Sequence, residues 1–205
     1  MKIIAWILSL LMVFVSVPPT VTEDAVKSAA DVLESISFDS SADTDEVTLD
    51  AITEVSTWDG SSAVTPTYSS ADGAYIIDSA AKLRGFANAV TNGTTYQGST
   101  VKLTVNINWN GKEWTKIGTG SDKAFKGTFD GNGCYVSNYK HTSPGDVSGF
   151  FGFLYGATVK NLVLKNINAN NGNRYIGLFS GSSNGTTTID NVDIQDSTFT
   201  ATYRS

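Results

Sequence analysis

Val136-Ser137-Asn138-Tyr139, Val159-Lys160-Asn161-Leu162 and Ile189-Asp190-Asn191-Val192 share one pattern: a β-branched residue, a polar one, an asparagine, then an apolar or aromatic one. The step from Asn161 to Asn191 is longer than the step from Asn138 to Asn161. Recurrence at intervals of roughly 20–30 residues marks a structural repeat, either a stacked unit or a propeller blade. In the second copy Val159, Leu162 and Leu164 are apolar, while Lys160 and Lys165 are charged. That alternation belongs to a strand with one buried face, and it changes phase at Asn161. The third copy, from Ile189 to Gln195, does the same. A strand changes phase only through a bend or bulge. Asparagine tolerates the left-handed backbone such a bend takes, and its amide bonds nearby groups. The pattern therefore predicts a corner at Asn138, Asn161 and Asn191, stacked about 4.8 Å apart with the three amides in one ladder.

A second element precedes the corner. Gly149-Phe150-Phe151-Gly152 is matched downstream by Gly177-Leu178-Phe179-Ser180, and glycine turns follow at Gly156 and Gly185. The unit reads Gly-apolar-Phe-small, turn, strand, asparagine corner, strand. One such unit per turn of chain suits a parallel β-helix, in which every turn adds one rung to each sheet. A propeller blade needs four antiparallel strands and ranks second. A jelly roll or sandwich ranks third, because its strands need not repeat.

Upstream of the repeats, Tyr75-Ile76-Ile77 reads as a short strand. Leu83, Phe86, Ala87 and Val90 then follow helical spacing after Asp78-Ser79, and Asn92-Gly93 ends the run. An amphipathic helix over 79–91 is placed to cap the first turn, since terminal repeats expose their core. Val101 to Ile107 alternates as a single strand, and Asp130-Gly131-Asn132-Gly133 reads as a hairpin turn.

The chain has 205 residues. Lys2, an apolar run from Ile3 to Val17 and Pro18-Pro19 read as a signal peptide over 1–25. The run is short for a membrane span and has no basic flank after it. Residues 26–60 hold nine acids and one lysine, whereas 61–205 hold twelve basic and nine acidic residues. We divide the chain into the signal (1–25), an acidic, weakly structured linker (26–57), an N-terminal cap (58–100) and the β repeats (101–205), which look incomplete at the C-terminus. The repeats carry no basic cluster, so nucleic acid is not an expected partner. Cys134 is the single cysteine and leaves no intrachain disulfide to form. It lies two residues before Val136 and reads as a small buried hydrophobe rather than a catalytic thiol. A signal with abundant Asn, Thr, Ser and Gly and one cysteine describes a bacterial protein that is secreted or held at the cell surface.

The order Leu103-Thr-Val-Asn-Ile107, Trp114-Thr-Lys-Ile-Gly118, Phe125-Lys-Gly-Thr-Phe-Asp-Gly-Asn-Gly133, Gly149-Phe-Phe-Gly152 and Ala157-Thr-Val-Lys-Asn-Leu162 resembles GLUG-motif proteins over about residues 58–200. The resemblance implies a right-handed, pectin-lyase-like parallel β-helix and cell-surface exposure. It also implies an adhesin-like role, with some members carrying a separate protease domain. The copies here read Gly-Phe-Phe-Gly and Gly-Leu-Phe-Ser, which depart from that family's Gly-Leu-x-Gly core.

The function expected is non-catalytic adhesion, with an extracellular glycan or a host or matrix protein as partner and no cofactor. A polysaccharide lyase or hydrolase is the alternative, as is an accessory region of a larger surface protease. Glycoside hydrolysis wants two carboxylates about 5–9.5 Å apart. The candidates are Asp130, Asp190, Asp193 and Asp196, with Asp190 and Asp193 pointing outward. The arginines Arg84, Arg174 and Arg204 join no acidic cluster in sequence, and no catalytic set emerges. His141, the single histidine, reads as a loop residue, and one histidine with one cysteine does not supply the ligands zinc needs. Trp109, Trp114, Tyr155 and Tyr175 are the candidates for stacking on sugar rings, with edge and cap packing as the competing use. The last strand, Thr198 to Tyr203, has no cap after it, so the chain is expected to be a fragment or to self-associate through that end.

Overall fold

A computed structural model describes residues 53–142, 147–171 and 175–201. The expected signal, most of the acidic linker, Arg174 and Arg204 lie outside the described residues. The described chain is mainly β. Its one described α-helix, α1 (Ala80–Thr91), starts where Ser79 takes the N-cap and its hydroxyl accepts the Lys82 backbone N–H. Leu83, Phe86, Ala87 and Val90 are buried, as the spacing predicts. The Phe86 ring meets Phe125 and Phe129 at 5.4 and 5.7 Å. Gly85 lets the chain at Val64 cross the helix: a Cβ there would lie 2.0 Å from the Val64 carbonyl oxygen.

The largest sheet combines β1 (Val55–Thr57), β2 (Thr67–Ser69), β3 (Ala74–Ile77), β4 (Thr100–Leu103), β5 (Asn106–Asn108), β6 (Thr128–Asp130), β7 (Tyr135–Ser137), β11 (Thr158–Lys165) and β15 (Thr188–Gln195). It is mixed. β2 and β3 pair antiparallel, and the other pairs are parallel. Smaller parallel sheets join β8 (Lys140–His141), β12 (Asn168–Asn171) and β16 (Thr198–Ala201); β9 (Val147–Ser148) and β13 (Tyr175–Ile176); and β10 (Phe151–Tyr155) and β14 (Ser180–Asn184). Thr100 pairs Thr128, Thr128 pairs Thr158 and Thr158 pairs Thr188, so these four threonines mark one level on successive rungs.

Inward positions stack along these rungs. Val101, Phe129 and Val159 form one buried column; Ile107, Val136 and Leu164 form another. Trp114 stacks on Phe150 at 4.8 Å and Phe125 on Phe151 at 5.9 Å, so aromatic faces fill the middle of the core.

Several expectations are corrected by the register. Val101–Ile107 is two strands, because Thr104 and Val105 turn the chain between β4 and β5. Asp130–Gly133 is no hairpin: β6 and β7 both run parallel to β11, and the glycine turn is an insertion between them. The sheet also begins earlier than residue 58, since Val55–Thr57 pairs with β5. Most consequentially, Val136 registers with Leu164 rather than Val159. Asn138 therefore does not share a column with Asn161 and Asn191. The step from Asn138 to Asn161 joins two different corners, and the repeat period is the longer step from Asn161 to Asn191.

Candidate functional site

Each rung has two corners, and a polar ladder runs up each. In the first, Asn161 Nδ2 donates to Asp130 Oδ1 at 3.2 Å and Asn191 Nδ2 donates to Asn161 Oδ1 at 3.0 Å. In the second, Asn138 Nδ2 donates to Asn108 Oδ1 at 3.0 Å and Asn166 donates in turn to Asn138 Oδ1. Asn138, Asn161, Asn166 and Asn191 have φ between 50 and 59°, and Asp196, next in line after Asn166, has φ 47°. Only glycine, asparagine and aspartate reach that backbone region readily, and the asparagine amide then faces its neighbour above and below. The second ladder was open to sequence reasoning, because Leu164-Lys165-Asn166-Ile167 follows the pattern of Val136-Ser137-Asn138-Tyr139 with a leucine in place of the β-branched residue.

Two grooves flank the second ladder. One, of about 340 Å³, is lined by Asn110, Gly111, Tyr139, Lys140 and Asn168 as well as by Asn108, Asn138 and Asn166. The other, of about 420 Å³, adds Val55, Tyr135, Ser137, Lys165 and Asp196 to the same three asparagines. The Lys165 ammonium sits 3.5 Å from the centre of the Tyr135 ring. Each asparagine amide has two N–H donors, and the ladder uses one on Asn138 and one on Asn166. Amide donors, a lysine on an aromatic face and a second lysine thus line a concave polar surface.

The first ladder borders an alternating charge column. Lys102, Asp130, Lys160 and Asp190 occupy one register position on successive rungs. Lys160 pairs with Asp130 at 3.2 Å. Burial works against ionisation of Asp130, but the Asn132 backbone N–H, the Asn161 amide and Lys160 outweigh it, and the carboxyl titrates below its ordinary range. A carboxyl held ionised in this way is unsuited to general-acid work, which needs a raised pKa. Asp190, Asp193 and Asp196 are exposed at β15 and just beyond it.

Of the four stacking candidates, Tyr155 and Tyr175 are exposed, with Lys126 5.1 Å over the Tyr155 ring. Trp109 and Trp114 are not available to a ligand. Both are buried, and their indole N–H groups donate to the Glu113 and Phe150 carbonyls. Indoles with a backbone partner and a stacked neighbour (Trp58 lies 4.3 Å over Trp109) belong to the core. Arg84 packs 5.6 Å over Trp58.

The glycine motif has a steric basis. A Cβ on Gly152 would lie 2.2 Å from the Gly118 carbonyl oxygen, one on Gly177 2.4 Å from that of Ser180, and one on Gly149 2.9 Å from that of Phe151. Gly149 and Gly177 share one level, because Gly177 N–H bonds Ser148 O and Phe150 N–H bonds Leu178 O. The register then slips by one, so that Phe151 faces Ser180.

Cys134 is buried, and burial, reinforced by Asp130, pushes its thiol up to about 11. His141 is a buried strand residue rather than a loop residue: it lies in β8, and neither ring nitrogen has a hydrogen-bond partner among the described residues. No group of three His, Cys, Asp or Glu side chains is placed to hold a metal ion among the described residues. No described helix is long and apolar enough to cross a membrane.

No family model matches the chain. No solved structure matches it either. The chain is similar to halomucin of Haloquadratum walsbyi (strain DSM 16790 / HBSQ001), at 37% identity over 125 residues, covering 55% of this chain and 1% of halomucin. The chain thus corresponds to a very small part of that relative's length. Haloquadratum walsbyi is an archaeon, so this similarity does not carry the bacterial origin that the composition points to.

Proposed function

We propose that this chain is an exported, non-catalytic surface module that binds extracellular glycans or proteins along the ladder of Asn108, Asn138 and Asn166. The observation that carries this reading is the pair of grooves sharing those three asparagines. Uncommitted amide N–H groups suit sugar hydroxyls, and the ammonium groups of Lys140 and Lys165 suit uronate or sulfate groups. The apolar N-terminal run, the similarity to halomucin and the resemblance to GLUG-motif surface proteins support an extracellular setting. In this reading the rungs are turns of a right-handed parallel β-helix and α1 is its N-terminal cap. The parallel pairing that carries one level through Thr100, Thr128, Thr158 and Thr188 supports the architecture.

The test is a glycan and matrix-protein array probed with the full chain. Saturable binding that weakens on Lys140→Ala and Lys165→Ala is the expected result; an array with no binding counts against the reading. A carbohydrate-active enzyme is the second reading, favoured by the exposed carboxylates of Asp190, Asp193 and Asp196. Turnover of a pectin-like polymer, abolished by Asp190→Asn or Asp193→Asn, would replace the first reading with this one.

A further inference from the structure

The turn that leads from β10 into β11 borders a groove of its own. It has a volume of about 200 Å³ and is lined by Ser99, Thr100, Lys126, Thr128 and Thr158, with glycines between them. It shares no lining residue with the two asparagine grooves. The three rungs that form it are flanked on both sides: Thr100 pairs with Ala74 on one, and Thr158 pairs with Thr188 on the other. A Cβ on Gly98 or Gly156 would meet nothing within 4 Å. Both glycines take a left-handed backbone, at φ 72° and 57°, and the side chains they lack leave the groove open.

The hydroxyls of Ser99, Thr100, Thr128 and Thr158 have no hydrogen-bond partner among the described residues. Each can donate one hydrogen bond and accept others. Thr100, Thr128 and Thr158 are in register on successive rungs, so these groups recur about every 4.8 Å. Lys126 adds a charge. Lys82, Lys102 and Lys160 are each paired with an aspartate: Asp78, Asp72 and Asp130 respectively. Lys126 has no ion pair among the described residues. Its ammonium lies instead 5.1 Å from the centre of the Tyr155 ring, a side chain that is 41% exposed. An aromatic face holds a cation in place without neutralising it. The lining residues include no carboxylate, so an uncompensated cation stands beside a row of uncommitted hydroxyls.

We propose that this groove is a second saccharide site, for a sugar that carries a carboxylate or a sulfate. The Lys126 ammonium takes the oxyanion, and the threonine hydroxyls take the hydroxyls of the sugar rings. A bare anion would use the lysine and the nearest hydroxyl alone. The threonines continue over two rung steps, roughly 9–10 Å, which suits a longer, hydroxylated ligand. Lys165 on the Tyr135 ring beside the asparagine ladder is the same device, so two separate faces select for the same kind of charge. The site does not depend on the asparagine grooves binding anything.

The experiment uses the full chain with ¹³C-labelled threonine methyl groups, titrated separately with trigalacturonate and with a sulfated galactose disaccharide. Saturable shifts of the Thr100, Thr128 and Thr158 methyls are expected with at least one of them, and the tighter of the two identifies the oxyanion. Lys126→Ala is expected to weaken that binding roughly tenfold, as is replacing the sugar by neutral digalactose. Thr128→Val keeps the branched shape and removes one hydroxyl, and roughly threefold weaker binding is expected. Lys165→Ala is expected to leave these shifts unchanged, which separates failure of this site from failure of the asparagine grooves. No threonine shifts with either sugar at millimolar concentration, or equal binding of digalactose, overturns the proposal. Shifts that persist unweakened in Lys126→Ala also overturn it. Free acetate or sulfate binding as tightly as the sugars would leave an anion site only and overturn the saccharide assignment.

Discussion

Asparagine and aspartate at the corners do two jobs that no other residue combines. They accept a left-handed backbone, at φ 52° for Asn161 and 50° for Asn191, and they pass a hydrogen bond from rung to rung. Asn161→Ala removes the amide that Asp130 and Asn191 both use and strains the backbone. A loss of about 1–3 kcal/mol is expected in urea denaturation. Cys134 offers a different check: with its thiol held up to about 11 by burial, it is expected to resist iodoacetamide at pH 8 until the chain unfolds. His141 sets a pH dependence. Burial holds its pKa below the usual 6.5; Glu113 opposes that shift and Lys116 adds to it. The unfolded chain therefore takes up the proton first as pH falls. The stability contributed by the neutral ring is full above pH 6.5 and is lost on acidification below it, toward the lower folded pKa. Urea midpoints compared at pH 7.5 and 5.5 are expected to fall, and His141→Leu is expected to shrink that fall.

At the scale of elements, close approach of neighbouring rungs is what the glycines make possible. Gly152→Ala would push a methyl group onto the Gly118 carbonyl oxygen, and a loss of about 1–3 kcal/mol is expected in the same denaturation assay. Much of this level was legible in the sequence. Helical spacing of Leu83, Phe86, Ala87 and Val90 marked α1 with its Ser79 cap, and alternation around Asn161 and Asn191 marked β11 and β15 with their corners. What was hidden was which corner stacks on which. Local pattern repeats at both corners of every rung, so Val136-Ser137-Asn138 resembles Val159-Lys160-Asn161 as well as its true partner, Leu164-Lys165-Asn166. The Asn132-Gly133 insertion between β6 and β7 shifts the first copy further. Similarly, nothing local separates a tryptophan on an outer face from one turned inward. Burial of Trp109 and Trp114 depends on Trp58 and Phe150, which are distant in sequence and meet them only through the stacking of rungs.

For the whole molecule, stacking turns a modest sequence repeat into long, regular surfaces. One side of the second ladder is an open polar track with two lysines beside it. Nothing in the individual strands distinguishes a binding track from a structural one, and only register brings Asn108, Asn138 and Asn166 together. The most direct measurement is an NMR titration of the ¹⁵N-labelled full chain with oligogalacturonate, an acidic glycan suited to Lys140 and Lys165. Saturable shifts are expected in the side-chain amides of Asn138 and Asn166 and in the Lys165 backbone amide, lost together on Lys165→Ala. Shifts confined to Asp190, Asp193 and Asp196, or no shifts at millimolar sugar, would contradict glycan binding along this ladder.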